Sequence, residues 1–407
     1  MATASPDPKR VVLGTAGHVD HGKTALVRAL TGVDTDRWEE EKRRGITLDL
    51  GFAPFPSPPD LAISVIDVPG HEDFVRNMLA GATGTDLVLL VVAADEGPMP
   101  QTREHLAIVS LLGIRAGVIA VTKADCVDEE WLALAVEAAR DEVRAVAGAD
   151  WPTVAVSART GEGLQALREA ILDAARAAPP RPADDLFRLP VDRSFSLPGA
   201  GTVVTGTVWS GRVARDAECR VLPDDRRARV RGVHVHGREV PEARAGDRAA
   251  LALVGVDRQA VGRGHTLVTD RGWEPATILE AEVTVLPYEP RPLRSGQRVR
   301  VHLGTAEVMA RAALLDAREC PPGGRALAQL RLEAPLVARA GDRFILRFYS
   351  PVTTIGGGRV LRPRAHRRGR LPPGEAETLR RLVTGAPVER VDALLELRRG
   401  GGVTADE

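Results

Sequence analysis

The segment Gly17-His-Val-Asp-His-Gly-Lys-Thr24 constrains this 407-residue chain more than any other stretch. The apolar run Val11-Val-Leu-Gly-Thr-Ala16 precedes it, and Ala25-Leu-Val-Arg-Ala-Leu30, apolar at helical spacing, follows. Strand, glycine loop and helix at the spacing G-x-x-x-x-G-K-T are what a phosphate-binding loop requires. Its backbone N–H groups turn inward and form an anion nest at a helix N-terminus. Gly17, His18, Val19, Asp20, His21 and Gly22 are therefore expected to wrap phosphate. Lys23 would reach the outer phosphates and the Thr24 hydroxyl would ligate Mg²⁺. His18 and His21 have HxxH spacing, but a loop that wraps phosphate leaves them no metal role.

Around this loop, apolar runs alternate with helical stretches. Strands are predicted at 11–15, 62–67, 87–93, 117–122 and 153–156, and helices at 24–30, 73–80, 101–112, 128–146 and 163–177. Such alternation implies an α/β domain with a mostly parallel, doubly wound sheet covered on both faces. Ligands then sit at the carboxyl ends of strands. Asp67-Val-Pro-Gly-His71 lies at one such end. Asp67 can hold the Mg²⁺ shell through water, Gly70 can offer its N–H to a terminal phosphate, and His71 can orient an attacking water. Thr122-Lys-Ala-Asp125 lies at another. The Asp125 carboxylate can accept from guanine N1–H and N2–H, donors that adenine lacks, and such a site discriminates by ~10⁴-fold. The Lys123 stem would pack along the base, and the Ser157-Ala158-Arg159 loop would meet it from the other side. Thr47, at the end of a mixed-charge run, can complete the Mg²⁺ shell only when a γ-phosphate is present, which makes a switch.

These motifs, with Met99-Pro-Gln-Thr-Arg-Glu-His105, resemble the translational GTPases, elongation factor Tu and its kin. The resemblance implies a GTP/GDP and Mg²⁺ cofactor set and GTP hydrolysis triggered on the ribosome. It also implies that His71 places the water and that an apolar pair, Val19 and Ile46, gates it. The family's guanine motif usually begins with Asn. Thr122 stands there instead, which is expected to lose a side-chain bridge to the phosphate loop and to loosen nucleotide binding.

Composition narrows the rest. Only 4 of the 55 basic residues are lysines, so a surface arginine says little, whereas Lys23 and Lys123 say more. Formal net charge is zero, so any RNA contact must use local patches. Cys126, Cys219 and Cys320 lie far apart and suggest a reducing compartment without disulfides or a zinc site. The N-terminus has no apolar h-region, and no apolar run approaches the ~18 residues of a membrane span. A cytoplasmic protein with no membrane partner, acting as a monomer, is expected.

After the proline-rich linker at 178–185 the period changes to two, with glycine turns at short spacing. The expected organisation is a P-loop GTPase domain over 1–178, small β-barrels over 185–272 and 273–365, and a basic linker with a short helical piece over 366–407. His234 and His236 read as barrel surface.

Gly32-Val-Asp-Thr-Asp-Arg37, Arg44-Gly-Ile-Thr-Leu-Asp-Leu-Gly51, Thr122-Lys-Ala-Asp125 and Val191-Asp-Arg-Ser-Phe195 together resemble the bacterial selenocysteine-specific elongation factors. In them the Thr-Lys-Ala-Asp variant is common. The resemblance implies delivery of selenocysteinyl-tRNA. The alternative is a GTPase carrying another aminoacyl- or initiator-tRNA. Phe52, Arg193 and Arg248 fall at the family's aminoacyl-pocket positions. A selenol is ionised at neutral pH whereas a thiol of pKa ~8.5 is mostly neutral. Paired arginines would favour the selenolate, and a neutral serine would leave those cations buried and unpaired. In the family, winged-helix domains read a messenger RNA hairpin. With about forty residues after Ala365, against a usual ~50-residue domain minimum, the chain reads as C-terminally truncated, with the hairpin contact left to missing domains.

Overall fold

The computed structural model describes residues 7–35, 47, 49–70, 75–199, 201–372 and 374–397. The chain divides into two compact units, Met1–Glu218 with Arg229–Gly262, and Cys219–Ala228 with Arg263–Glu407.

The first unit opens with β1 (Lys9–Ala16), α1 (Lys23–Thr31), β2 (Gly51–Phe55), β3 (Leu61–Asp67), α2 (Val75–Ala82), β4 (Leu87–Ala93), α3 (Pro100–Leu111), β5 (Ala116–Thr122), α4 (Glu129–Ala147), β6 (Thr153–Ala155) and α5 (Leu164–Ala177). The six strands form one sheet in the order β2-β3-β1-β4-β5-β6. All neighbours are parallel except β2, which runs antiparallel to β3 with Gly51 opposite Asp67. The strands are apolar runs because both faces are covered: β4 is buried along its whole length. One face packs Leu26, Val27 and Leu30 of α1 and Leu167 and Ile171 of α5. The other packs Leu106 and Val109 of α3 with Ala139 and Val143 of α4. Every predicted strand and helix of this domain has a counterpart, but β2 was not predicted. Pro54 breaks its pattern, and proline is tolerated there because β2 is an edge strand.

The unit continues with β7 (Arg188–Pro190), β8 (Arg193–Leu197) and β9 (Gly201–Thr207). β8 pairs with β9, β9 with the strand Arg248–Val254, and that strand with Arg226–Val235 through Arg229–Val254, all antiparallel. The period-two reading holds here, with Val204, Val233 and Leu251 buried.

In the second unit a closed barrel runs through Pro275–Val285, Arg325–Val337, Ala306–Leu314, Gln297–Leu303, Arg343–Phe348 and Thr354–Arg362. Leu279, Val299, Leu330 and Phe344 fill it. Helices Glu375–Thr384 and Pro387–Leu397 bury Leu379, Leu382 and Ala393 against Leu315, Leu327 and Leu361. Among the described residues no helix is long and apolar enough to cross a membrane.

Candidate nucleotide and aminoacyl sites

The phosphate loop leaves β1 at Gly17 and enters α1 through Gly22, whose φ of 81° is left-handed. Lys23 is buried beneath it. Its ammonium donates to the carbonyls of Gly17, at 3.0 Å, and His18. Burial lowers its pKa to about 8. A β-carbon at Gly70 would lie 2.2 Å from Lys23 Nζ and 2.8 Å from the Val19 nitrogen. Only glycine lets the chain after β3 come this close to the loop. That proximity is what a backbone N–H needs to share a phosphate with Lys23.

Asp67, fully buried at the end of β3, accepts from the hydroxyls of Thr15 at 2.9 Å and of Thr24 and Thr35 at 2.8 Å. Burial raises its pKa above the ordinary carboxylate range. Thr47 Oγ1 lies 2.9 Å from Thr24 Oγ1. Thr24, Thr47 and Asp67, the three expected Mg²⁺ ligands, are thus gathered in one cluster of oxygens. Among the described residues no group of three His, Cys, Asp or Glu side chains gathers as a metal site. A cation here would rest on these hydroxyls, one carboxylate and phosphate oxygens, the hard donors that suit Mg²⁺.

Two histidines brace the loop. His21 Nδ1 donates to the Val91 carbonyl at 3.3 Å, and His105 Nδ1 accepts from the Gly17 N–H at 3.1 Å. Burial lowers their pKa values to about 4 and about 3, so both are neutral at pH 7. Gln101 Oε1 accepts from the Val19 N–H at 3.3 Å. Gln101 and His105 were not among the expected site residues. Their signal was a polar i, i+4 pair on α3, in a helix whose other residues at 106–109 are apolar and buried. Asp20 sits at the exposed apex with φ 63°. His71 and Ile46, expected to orient and gate the water, lie outside the described residues. Their partner Val19 stands in the loop beside Gly70.

Past α1, a cavity of about 610 Å³ is lined by Gly22, Thr122, Lys123, Asp125, Ser157, Ala158 and Arg159 among others. This brings together the residues expected to meet the base. Lys123 donates to Asp95 at 3.0 Å and Glu96 at 3.2 Å. Hydrogen bonds from Ser157 and Arg159 hold the Asp125 carboxyl down at about 2. Arg159 Nε lies 2.9 Å from Asp125 Oδ2, and its Nη2 contacts the same oxygen. The expected loss at Thr122 is corrected. Its hydroxyl donates to the His21 carbonyl at 2.7 Å, so a bridge to the phosphate loop is kept. The last residue of β5 lies close enough to the loop for a short side chain to reach.

The second cavity, about 390 Å³, is lined by Phe52, Arg193, Thr205, His234, His236 and Arg248 among others. The guanidinium carbons of Arg193 and Arg248 stand 4.9 Å and 3.9 Å from the Phe52 ring centroid. The expectation that a neutral serine would leave these cations unpaired is corrected. Arg248 pairs with buried Asp192, which also accepts from Thr205 at 2.6 Å, and Arg193 pairs with Asp49 at 3.0 Å. Arg248 Nε is buried and has no hydrogen-bond partner among the described residues. His234 and His236 are exposed, as the barrel-surface reading expected, and both also line this cavity, with His236 Nε2 2.7 Å from Ser64 Oγ.

Known proteins match this plan. The elongation factor Tu GTP binding domain family matches residues 8–177, elongation factor Tu domain 2 matches 201–268, and the beta-barrel domain of the selenocysteine-specific elongation factor matches 280–367. The selenocysteine-specific elongation factor of Desulfomicrobium baculatum is 45 % identical over 98 % of this chain and 62 % of its own. The crystal structure of a bacterial selenocysteine-specific elongation factor, EF-Sec, superposes with a TM-score of 0.87 at 32 % identity, covering 98 % of this chain and 65 % of that one. Translation elongation factor SelB from Methanococcus maripaludis, in its apo form, gives a TM-score of 0.75 at 31 % identity over 87 % of this chain and 80 % of that one. The chain belongs to the selenocysteine-specific elongation factor family. It spans 62 % of the length of the D. baculatum member. The archaeal member has also been solved in complex with the GTP analogue GppNHp. A GTP-binding domain followed by elongation-factor barrels is therefore the family setting of both cavities.

Proposed function

We propose that this elongation factor binds GTP with Mg²⁺, carries selenocysteinyl-tRNA to the ribosome and hydrolyses GTP there. On this reading Gly17–Thr24, Gly70 and Lys23 hold the phosphates, Thr24, Thr47 and Asp67 hold Mg²⁺, and Asp125 selects guanine. His71 orients the water, with Val19 and Ile46 gating it. Delivery takes place in the cytoplasm, where the ribosomes are.

The observation that carries the choice of cargo is the cavity built on Phe52, Arg193 and Arg248, with two guanidiniums against one ring. A selenolate accepting from these guanidiniums forms a charge-assisted bond, roughly twice as strong as a neutral one. Because Asp192 and Asp49 already balance the two guanidiniums, serine strands no bare cation. It is disfavoured instead because its neutral hydroxyl gains less from the same guanidiniums, while the polar pocket must still be desolvated.

The test is protection of the aminoacyl ester by the GTP-bound protein, with selenocysteinyl-tRNA and with the same tRNA charged with serine. Strong protection of the first alone supports the reading. Equal protection of both points to a GTPase carrying other aminoacyl-tRNAs, and protection of neither removes tRNA delivery.

A further inference from the structure

We propose that Asp49 is a positioning residue that ties the aminoacyl cavity to the nucleotide, holding Arg193 against Phe52 while Thr47 is engaged at the Mg²⁺ cluster. The inference rests on the reading of that cavity as the aminoacyl pocket.

The argument is one of spacing. Thr47 Oγ1 is 2.9 Å from Thr24 Oγ1, at the oxygen cluster around Asp67. Two residues on, Asp49 Oδ2 is 3.0 Å from Arg193 Nη2. The same nitrogen donates to the Leu50 carbonyl. Phe52, three residues beyond Asp49, is the ring on which Arg193 and Arg248 rest. Successive Cα atoms are about 3.8 Å apart, so Thr47 and Asp49 cannot separate by more than about 7–8 Å. A displacement of Thr47 must then pass into Asp49 unless the single residue between them absorbs it.

The far end of this strip is anchored. Gly51 pairs with Asp67 across β2 and β3, and a β-carbon on Gly51 would lie 2.5 Å from the Thr35 side chain and 3.2 Å from that of Asp67. Phe52 and the buried Leu50 therefore stay with the sheet, and the part that responds is Thr47 with Asp49, which holds Arg193.

The two arginines are held differently. Arg248 is fixed by Asp192, a buried partner just before β8 and distant in sequence from the nucleotide motifs. Arg193 is fixed by a carboxylate and a carbonyl belonging to the segment that carries a Mg²⁺ ligand. The Asp49 and Arg193 side chains are both partly exposed, so water can take over either one when the pair opens. Loss of the γ-phosphate would release Thr47, then Asp49, then the Arg193 wall of the cavity. The Arg248 wall would remain. The cargo would be gripped in the GTP form and loosened in the GDP form without any change at Arg248.

The experiment compares dissociation constants for selenocysteinyl-tRNA with GppNHp and with GDP, in wild type, Asp49→Asn, Arg193→Ala and the double variant. Asp49→Asn should weaken binding in the GppNHp form about tenfold, change the GDP form less than about twofold, and add nothing in the Arg193→Ala background. Asp49→Glu should restore part of the loss, and the affinity for GppNHp itself should stay as in wild type. Equal weakening in both nucleotide forms, or a full effect of Asp49→Asn without Arg193, overturns the inference. A wild type that prefers selenocysteinyl- over seryl-tRNA while Asp49→Asn leaves the GppNHp form intact removes this inference alone. A wild type with no such preference removes the pocket reading and this inference with it.

Discussion

Asp125 in the first cavity and Asp192 behind the Arg248 wall of the second each hold an arginine, but under opposite conditions. The Arg159 side chain that reaches Asp125 is 77 % exposed, whereas the Arg248 side chain on Asp192 is 9 % exposed. Asp192 has further anchors: its carboxylate accepts from Thr205, and its N–H donates to the Thr205 carbonyl at 2.9 Å. Arg159 lies across the carboxylate that guanine would need, and water can replace it at little cost. Arg248 and Asp192 lie where water has little access. An exposed pair at a ligand site is a competitor of the ligand, while a buried pair is part of the site's architecture.

The largest effect is expected from breaking the buried pair. Arg248→Ala removes the cation from the buried Asp192 carboxylate and should cost about 3–5 kcal/mol of stability, together with the proposed preference for selenocysteinyl- over seryl-tRNA. Arg248→Lys keeps a cation for Asp192 but not the planar fork. It should recover most of the stability and little of the preference. Chemical unfolding and ester protection, measured side by side, separate the two roles. A stability loss near zero in Arg248→Ala would erase the contrast between the two pairs.

A middle effect is expected at Thr122, which belongs to the base cavity but is itself buried. Thr122→Val keeps the shape and removes the donor to the His21 carbonyl. It should cost about 1 kcal/mol at the phosphate loop and speed GDP release about fivefold, while Thr122→Ser should behave as wild type. Stopped-flow release of a fluorescent GDP decides it. An unchanged rate would mean that the bridge contributes nothing to holding the nucleotide.

How much of this could be read from the chain depended on how far apart the partners lie. The phosphate loop, Asp67 and Asp125 were legible because each is a short motif at a strand end, and a parallel sheet brings strand ends together. Phe52, Arg193 and Arg248 were legible through family resemblance. Their charge balance was not. Asp192 and Arg193 are neighbours in sequence, yet Asp192 pairs with Arg248 and Arg193 with Asp49. At the start of a strand, adjacent side chains point to opposite faces, so proximity in the chain misleads. Thr122 was misread for a related reason. The loss was inferred from the absence of the family's Asn, when the deciding quantity is how close the end of β5 comes to His21.

The smallest effect is the one that tests the exposed pair, and its sign carries the argument. On the proposed reading guanine needs the Asp125 carboxylate, and Arg159 donates to Oδ2 of that group. If Arg159 competes, Arg159→Ala should tighten GDP and GTP binding about two- to fivefold, in keeping with the small worth of exposed pairs. The gain should shrink as salt rises, because screening already weakens the wild-type pair. The selenocysteine preference should not move, since Arg159 takes no part in the second cavity. If instead Arg159 swings aside and packs on the bound base, the same substitution weakens binding, and exposure alone no longer distinguishes a competitor from a ligand contact. Equilibrium titration with a fluorescent guanine nucleotide at low and high salt gives the sign directly.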